Sequence, residues 1–294
     1  MRARISLTCF LLFASGYGAA LAKPQIVPPS AQAFKLGSLQ VFALRDANNV
    51  LDNDGKVFGV GVGPDAVARV LKDAGAPTDE VTLSVDGLLV KAADRVMLFD
   101  TGLGPSVKGA LMASLTQTGV APDEVTDVMI THSHGDHVGG LATAEGGLAF
   151  PKATIRMSAP EWAWMQAQPN SQALAKIIAP KVQTFEPGAT VLPGVTSIAL
   201  PGHTPGHAGF EIVSGSDKLI DIGDTAHSSI VSLAEPDWAI AYDNDKDEGE
   251  STRRATLKRL AEDHSLIFAP HFPFPGIGRI ETAGDHFSWK PETP

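Results

Sequence analysis

A single mixed α/β domain is the fold class that the sequence predicts, and three observations carry the prediction. Short apolar runs of strand length alternate along the chain with segments of helical spacing. Hydrophobic residues make up 44% of the 294, enough for a packed core rather than a disordered chain. No repeat of fixed period and no low-complexity linker divides the chain.

Residues 1–22 stand apart from that domain. Arg2 and Arg4 give a positive start, residues 5–13 form an apolar run too short to span a bilayer, and Ala20-Leu21-Ala22 ends in a small-x-small pattern. The segment reads as a secretory signal peptide, so one domain over residues 23–294 is expected outside the cytoplasm, secreted or periplasmic, without membrane attachment once the leader is removed. Cys9, the sole cysteine, falls inside the leader; the mature chain is expected to have no disulfide, thiolate ligand or thiol nucleophile.

Residues 81–99 are rich in Val and Leu and read as two strands around a tight turn at 92–94. Residues 106–117 place Val107, Ala110, Leu111 and Ser114 at helical spacing, and Gly119 follows as a stop. A short strand over 125–130 comes next, and a helix begins near Pro160. Strands are expected over 195–200, 207–213 and 218–222, then a helix over 250–263 and a strand over 265–269. A hairpin, 279–282 with 286–289, closes the chain.

The formal net charge is −10, and it becomes more negative when Arg2 and Arg4 leave with the leader. An acidic surface repels nucleic acid and anionic membrane, which argues against a nuclease and leaves a small molecule as the expected partner. A homodimer is compatible with this composition. Two weak patterns are set aside. Residues 61–66 match a loose dinucleotide-binding pattern, but a hairpin follows where a βαβ unit is required. The acidic run 243–248 lacks the glycine and glutamate positions of a calcium loop, and reads as a solvated loop whose carboxylates favour the start of the next helix.

The stretch THSHGDHVGG, residues 131–140, concentrates His132, His134, Asp136 and His137 in a chain with nine histidines. In an extended segment, residues two apart point the same way, so His132 and His134 can converge on one ion. Gly135 then permits a sharp turn that could aim Asp136 and His137 at a second. Nitrogen and carboxylate donors without sulfur suit zinc and tolerate manganese, cobalt or iron. Further donors stand at the ends of other expected strands: His203 and His207 in PGHTPGH, Asp224 after Ile222-Gly223, and His271 after Pro270.

This ordered set resembles the metallo-β-lactamase superfamily, whose signature is HxHxDH followed by a distant His, Asp and His. The resemblance implies a four-layer αβ/βα sandwich with a two-metal site along one edge. It assigns His132, His134 and His203 to one divalent ion, Asp136, His137 and His271 to the other, and Asp224 to both, with zinc the first expectation for each. It also places Asp100, in LFDTG, in support of a ligand histidine, and His207 outside the ligand set. Asp224 argues against a true β-lactamase. The run Phe272-Pro273-Phe274-Pro275-Gly276-Ile277-Gly278 and the leader are similar to the secreted methyl parathion hydrolase-like branch, neighbours of the quorum-quenching lactonases.

The expected chemistry is metal-assisted hydrolysis of ester, lactone or phosphotriester bonds in apolar small molecules, as in a lactonase, arylesterase or organophosphate hydrolase. Ions about 3.5 to 4 Å apart can share a hydroxide available at neutral pH. Asp136 is expected to serve catalysis as well as coordination. His227, three residues past Asp224, occupies a position that carries a substrate-contacting tyrosine in the lactonases, and is expected to act on the substrate. Trp162 and Trp164 cannot both face one side of a helix, so one is expected in the core and the other at the site. Phe272, Phe274 and Trp238 are further candidates for the pocket. The rivals are a thioesterase of the glyoxalase II type, an iron-dependent oxygenase of the same fold, and a non-catalytic secreted metal- or signal-binding protein.

Overall fold

The computed structural model describes residues 23–292, so the leader expected over residues 1–22 lies outside the described residues. Within them the chain forms an eight-stranded and a seven-stranded sheet, one after the other in sequence. The first contains β1 (Lys23–Ile26), β2 (Ala31–Leu36), β3 (Leu39–Asp52), β4 (Glu80–Lys91), β5 (Val96–Phe99), β6 (Asp127–Met129), β7 (Thr154–Ser158) and β8 (Val182–Phe185). Its order is β1-β3-β4-β5-β6-β7-β8, with β2 also on β3. Pairing is antiparallel as far as β5 and parallel from β5 to β8. The second sheet contains β9 (Thr190–Leu192), β10 (Val195–Ala199), β11 (Ala208–Ser214), β12 (Asp217–Asp221), β13 (Leu266–Phe268), β14 (Ile277–Ala283) and β15 (His286–Pro291), paired in sequence order. Only the β12–β13 pair is parallel there. The helices are α1 (Pro64–Asp73), α2 (Leu111–Gln117), α3 (Gly135–Val138), α4 (Ala159–Ala167), α5 (Gln172–Ile178), α6 (Val231–Ala234) and α7 (Lys246–Glu262).

Consecutive apolar residues stand at 88–90 of β4, along all of β5 and at 219–220 of β12, where both faces of the strands are covered. Leu88 and Val90 of β4, Met97 and Phe99 of β5, and Leu219 of β12 meet Phe210, Ile212 and Phe268 between the sheets. Their neighbours Leu89 and Leu98 point outward, against Leu111 and Leu115 of α2, Met165 of α4 and Ile178 of α5. On the far side, Ile220 and Ile267 pack on Leu257, Leu260 and Ala261 of α7. This is the αβ/βα sandwich that the resemblance implies. Among the described residues no helix is long and apolar enough to cross a membrane.

Two expectations are corrected. The helix read over 106–117 breaks into a short turn (Pro105–Val107) and α2, because Lys108 is left-handed (φ 62°) and Asp46 Oδ1 accepts the Leu111 N–H at 2.8 Å, capping a helix that starts there. The helix expected from 250 starts at Lys246, where the Asp245 side chain accepts the Glu248 N–H at 3.0 Å. Gly135 opens α3, and that turn of helix is the sharp turn that presents Asp136 and His137.

Candidate metal centre

Every candidate ligand leaves the end of a strand on one edge of the sandwich. The segment from Thr131 follows β6, His203 follows β10, Asp224 follows β12 and His271 follows β13. The two glycines after the motif let this edge close tightly. A Cβ on Gly139 would lie 2.3 Å from the Leu103 carbonyl oxygen, and one on Gly140 2.1 Å from that of Thr101.

Two donor groups result, each with ligand atoms within 4.8 Å of one another: His132, His134, His203 and Asp224, and beside them Asp136, His137 and His271. His132 Nε2, His134 Nδ1 and His203 Nε2 form a triangle with edges of 3.1, 2.9 and 3.2 Å. Asp224 faces both groups. Its Oδ1 lies 3.1 Å from Nε2 of His137 and 3.1 Å from that of His271, while Oδ2 lies 3.2 Å from His203 Nε2 and 3.5 Å from His132 Nε2. Asp136 is 3.8 Å from His137 Nε2 and 3.7 Å from His271 Nε2.

The residues fit a pair of cations. A neutral imidazole carries one N–H, so a closed triangle of ring nitrogens cannot be satisfied by mutual hydrogen bonds, whereas lone pairs converging on a cation need no protons. His137 Nε2 and Asp224 Oδ1 are buried without a hydrogen-bond partner among the described residues. Burial drives His132 well below the ordinary imidazole pKa, and His134, buried beside His203, falls to about 3. At His203 burial also opposes charge, but hydrogen bonds to Asp224 and Asp243 hold it up at about 9. Burial is likewise outweighed at His137 and His271, where Asp224 raises the pKa. The carboxylates thus call for positive charge at the points where ions would sit.

The outward nitrogens are tied down, which fixes ring orientation. His137 Nδ1 bonds Asp100 Oδ2 at 2.7 Å, and Asp100 also accepts the Thr131 N–H and hydroxyl at 2.9 and 2.7 Å, the supporting role expected of it. His271 Nδ1 donates to the Ser84 carbonyl at 2.7 Å. His203 Nδ1 meets Asp243 Oδ1 at 3.0 Å, and Arg253 holds the other Asp243 oxygen at 3.2 Å. The solvated reading of residues 243–248 is therefore wrong for Asp243, which is buried, and right for Asp245, which caps α7. The signal that separates them is weak: Gly249 packs against the Asp243 carboxylate, where a Cβ would meet Oδ2 at 2.8 Å.

His207 stands outside both donor groups. Its Nδ1 donates to the Leu200 carbonyl at 2.9 Å, and its Nε2 accepts the Asp224 backbone N–H at 3.0 Å. Burial lowers its pKa to about 3, as an accepting nitrogen requires. His227 is only 1% exposed, so it is no surface histidine. It stacks on His271 at 5.5 Å and 8°, and its Nε2 lies 3.1 Å from Asp224 Oδ2.

Trp164 packs edge-on against His134 at 5.8 Å, while Trp162 joins the core beneath the first sheet. His134 and Asp136 are the least buried of the candidate ligands, so Trp164 flanks the open side. Tyr242, missed from sequence, lies 5.8 Å from His227; burial and the charges of Asp136 and Asp224 push its phenol pKa up. Phe272 is core, edge-on to Trp289 at 5.0 Å; Phe274 packs between the sheets and Trp238 beside α1.

A sequence profile of the metallo-β-lactamase superfamily matches residues 82–271. Among solved structures, AidC, a dizinc quorum-quenching lactonase in complex with a product, is 30% identical with a TM-score of 0.85, over 90% of this chain and 98% of that one. AbOPH, a hydrolase in the β-lactamase superfamily, is 27% identical with a TM-score of 0.82 over the same shares. An N-acyl homoserine lactonase of Bacillus sp is 29% identical over 143 residues, 44% of this chain and 53% of that protein. The matched segments span 24% to 61% of the curated relatives' lengths.

Proposed function

Because the chain belongs to the metallo-β-lactamase superfamily, we propose that it is a two-metal hydrolase that opens lactone, ester or phosphotriester bonds of apolar small molecules, lactones first among them. The observation that carries the reading is the placement of Asp224 between the two donor groups, with Oδ1 near His137, Oδ2 near His203, and both oxygens within 3.2 Å of His271 Nε2. In this reading His132, His134 and His203 hold one ion, Asp136, His137 and His271 the other, and Asp224 contacts both. When bound, two divalent ions supply Lewis acidity and a water acidic enough to attack near neutral pH.

The chain's own residues then divide the remaining work. His207 fixes the backbone of Asp224, Asp100 fixes His137, and Asp243 fixes His203, so the donors need not reorganise. His227 Nδ1 has no hydrogen-bond partner among the described residues, which suits an imidazole that hydrogen-bonds the substrate oxygen. Trp164 offers an apolar wall on the open side for the body of the substrate. AidC and the Bacillus sp protein are lactonases by name, and that supports placing lactones first. The leader belongs to the proposal too, with the hydrolase working outside the cytoplasm.

Hydrolysis of an acyl lactone, an aryl ester, a thioester, a phosphotriester and a β-lactam, each measured with and without a chelator, tests the reading. Lactone or ester turnover that chelation abolishes and zinc restores is the expected result, with the β-lactam slowest. Penicillin turnover matching the best ester would overturn it.

A further inference from the structure

Glu161 carries a buried carboxylate that the metal-centre reading leaves without a task. It is the third residue of α4 and is 0% exposed. Sequence spacing with Ser158, S-x-x-E, is that of a capping box, in which the glutamate side chain would return to the N-cap backbone. Half of the box is present, since the Ser158 hydroxyl accepts the Glu161 N–H at 3.2 Å. The carboxylate turns elsewhere. Its Oε1 accepts the Ser133 N–H at 2.8 Å and the Ser133 hydroxyl at 2.6 Å, and its Oε2 accepts the Thr204 hydroxyl at 2.6 Å and the Gly206 N–H at 3.2 Å.

These donors belong to the two loops that carry the histidine triangle. Ser133 lies between His132 and His134, and Thr204 follows His203. One oxygen therefore grips each loop. The contact is closed further by Ser158, whose hydroxyl donates to the Gly206 carbonyl at 2.6 Å, and by Gly206, where a Cβ would stand 2.1 Å from the Glu161 nitrogen. The hydrogen bonds from Ser133, Thr204 and Gly206 are what replace the hydration of the buried Glu161 carboxylate. We propose that Glu161 is a positioning residue: it ties the loop of His132 and His134 to the loop of His203 and so sets the spacing of the three nitrogens before any ion arrives. The proposal rests on the reading of this triangle as a metal site.

Glu161→Gln keeps the volume and removes one acceptor. Its amide nitrogen would face the N–H of either Ser133 or Gly206, and a backbone N–H cannot become an acceptor, so one loop loses its backbone hydrogen bond and keeps at most a reversed bond to its hydroxyl. Zinc affinity of the purified chain is measured by competition with a chromophoric chelator, alongside far-UV circular dichroism and the thermal midpoint of the metal-free chain. The expected result is a native spectrum with zinc affinity at least about tenfold weaker than wild type, the size of effect that supporting residues have. A merely structural role predicts a lower midpoint with unchanged affinity, and that result would overturn the proposal. Should E161Q not fold, Ser133→Ala and Thr204→Val each delete one donor and keep the backbone donor beside it. Each is expected to weaken zinc binding several-fold; wild-type affinity in both overturns the proposal. A wild-type chain that takes up no zinc removes the metal-centre reading and this inference with it, whereas tight wild-type binding matched by E161Q removes the inference alone.

Discussion

Asp243 meets Nδ1 of His203 at 3.0 Å, while Nε2 of the same ring lies 3.2 Å from Asp224. The imidazole is held from both ends, and Asp243 is held in turn by the buried Arg253. Asp243→Asn is expected to lower metal affinity by about 10- to 100-fold. Asp243→Ala should in addition destabilise the fold by about 3–5 kcal/mol, because Arg253 would be left buried without its carboxylate. Chelator competition reads the first effect and urea denaturation the second. Unchanged affinity in the Asn variant would show that the contact does not serve the site.

Two zinc ions per chain are expected from elemental analysis of protein purified from its native compartment, and iron in their place would point to the oxygenase rival. His132→Ala and Asp224→Ala should each cut hydrolysis by more than the roughly 10- to 100-fold loss typical of a supporting residue. A chain with one ion and full activity contradicts this.

His203 and His207 belong to one run and should separate on substitution. His203→Ala removes a corner of the nitrogen triangle and should abolish tight metal binding. His207→Ala leaves the triangle intact and frees the Asp224 N–H and the Leu200 carbonyl, so binding should weaken in part. Equal losses in a titration of the two variants would reverse the assignment.

His227→Ala should slow alkyl lactones far more than p-nitrophenyl esters, with metal content unchanged. An alkoxide leaves poorly and gains from a hydrogen bond or proton in the transition state, an effect of about 10²- to 10⁴-fold for general acids, whereas p-nitrophenolate needs no help. Equal slowing of both substrates rules out leaving-group assistance, and no slowing makes His227 a bystander.

The donors were legible in sequence because each sits beside chemistry that local pattern reveals: an HxHxDH run, or a Gly or Pro marking a strand end. The supports were harder to see. Asp100 entered only through resemblance. Asp243 reads as a solvated acid because it stands in a run of acidic and polar residues without a calcium-loop pattern, and nothing in the run says which carboxylate turns inward. Glu161 looks like an ordinary helix-start acid, since its partners lie about 30 and 45 residues away along the chain. The strands from Lys23 to Asp52 escaped for another reason. β3 is bent by a bulge at Arg45 and Ala47, which breaks the alternation that would announce it.

The two sheets follow one another in the chain, the first ending at Phe185 and the second beginning at Thr190. His132, His134, Asp136 and His137 come from the first half, and His203, Asp224 and His271 from the second. Ser84 of the first half exchanges backbone and side-chain hydrogen bonds with His271 of the other. During synthesis, therefore, the amino-terminal half can assemble its sheet early, yet the group of His132, His134, His203 and Asp224 cannot be completed before Asp224 has left the ribosome, nor that of Asp136, His137 and His271 before His271 has.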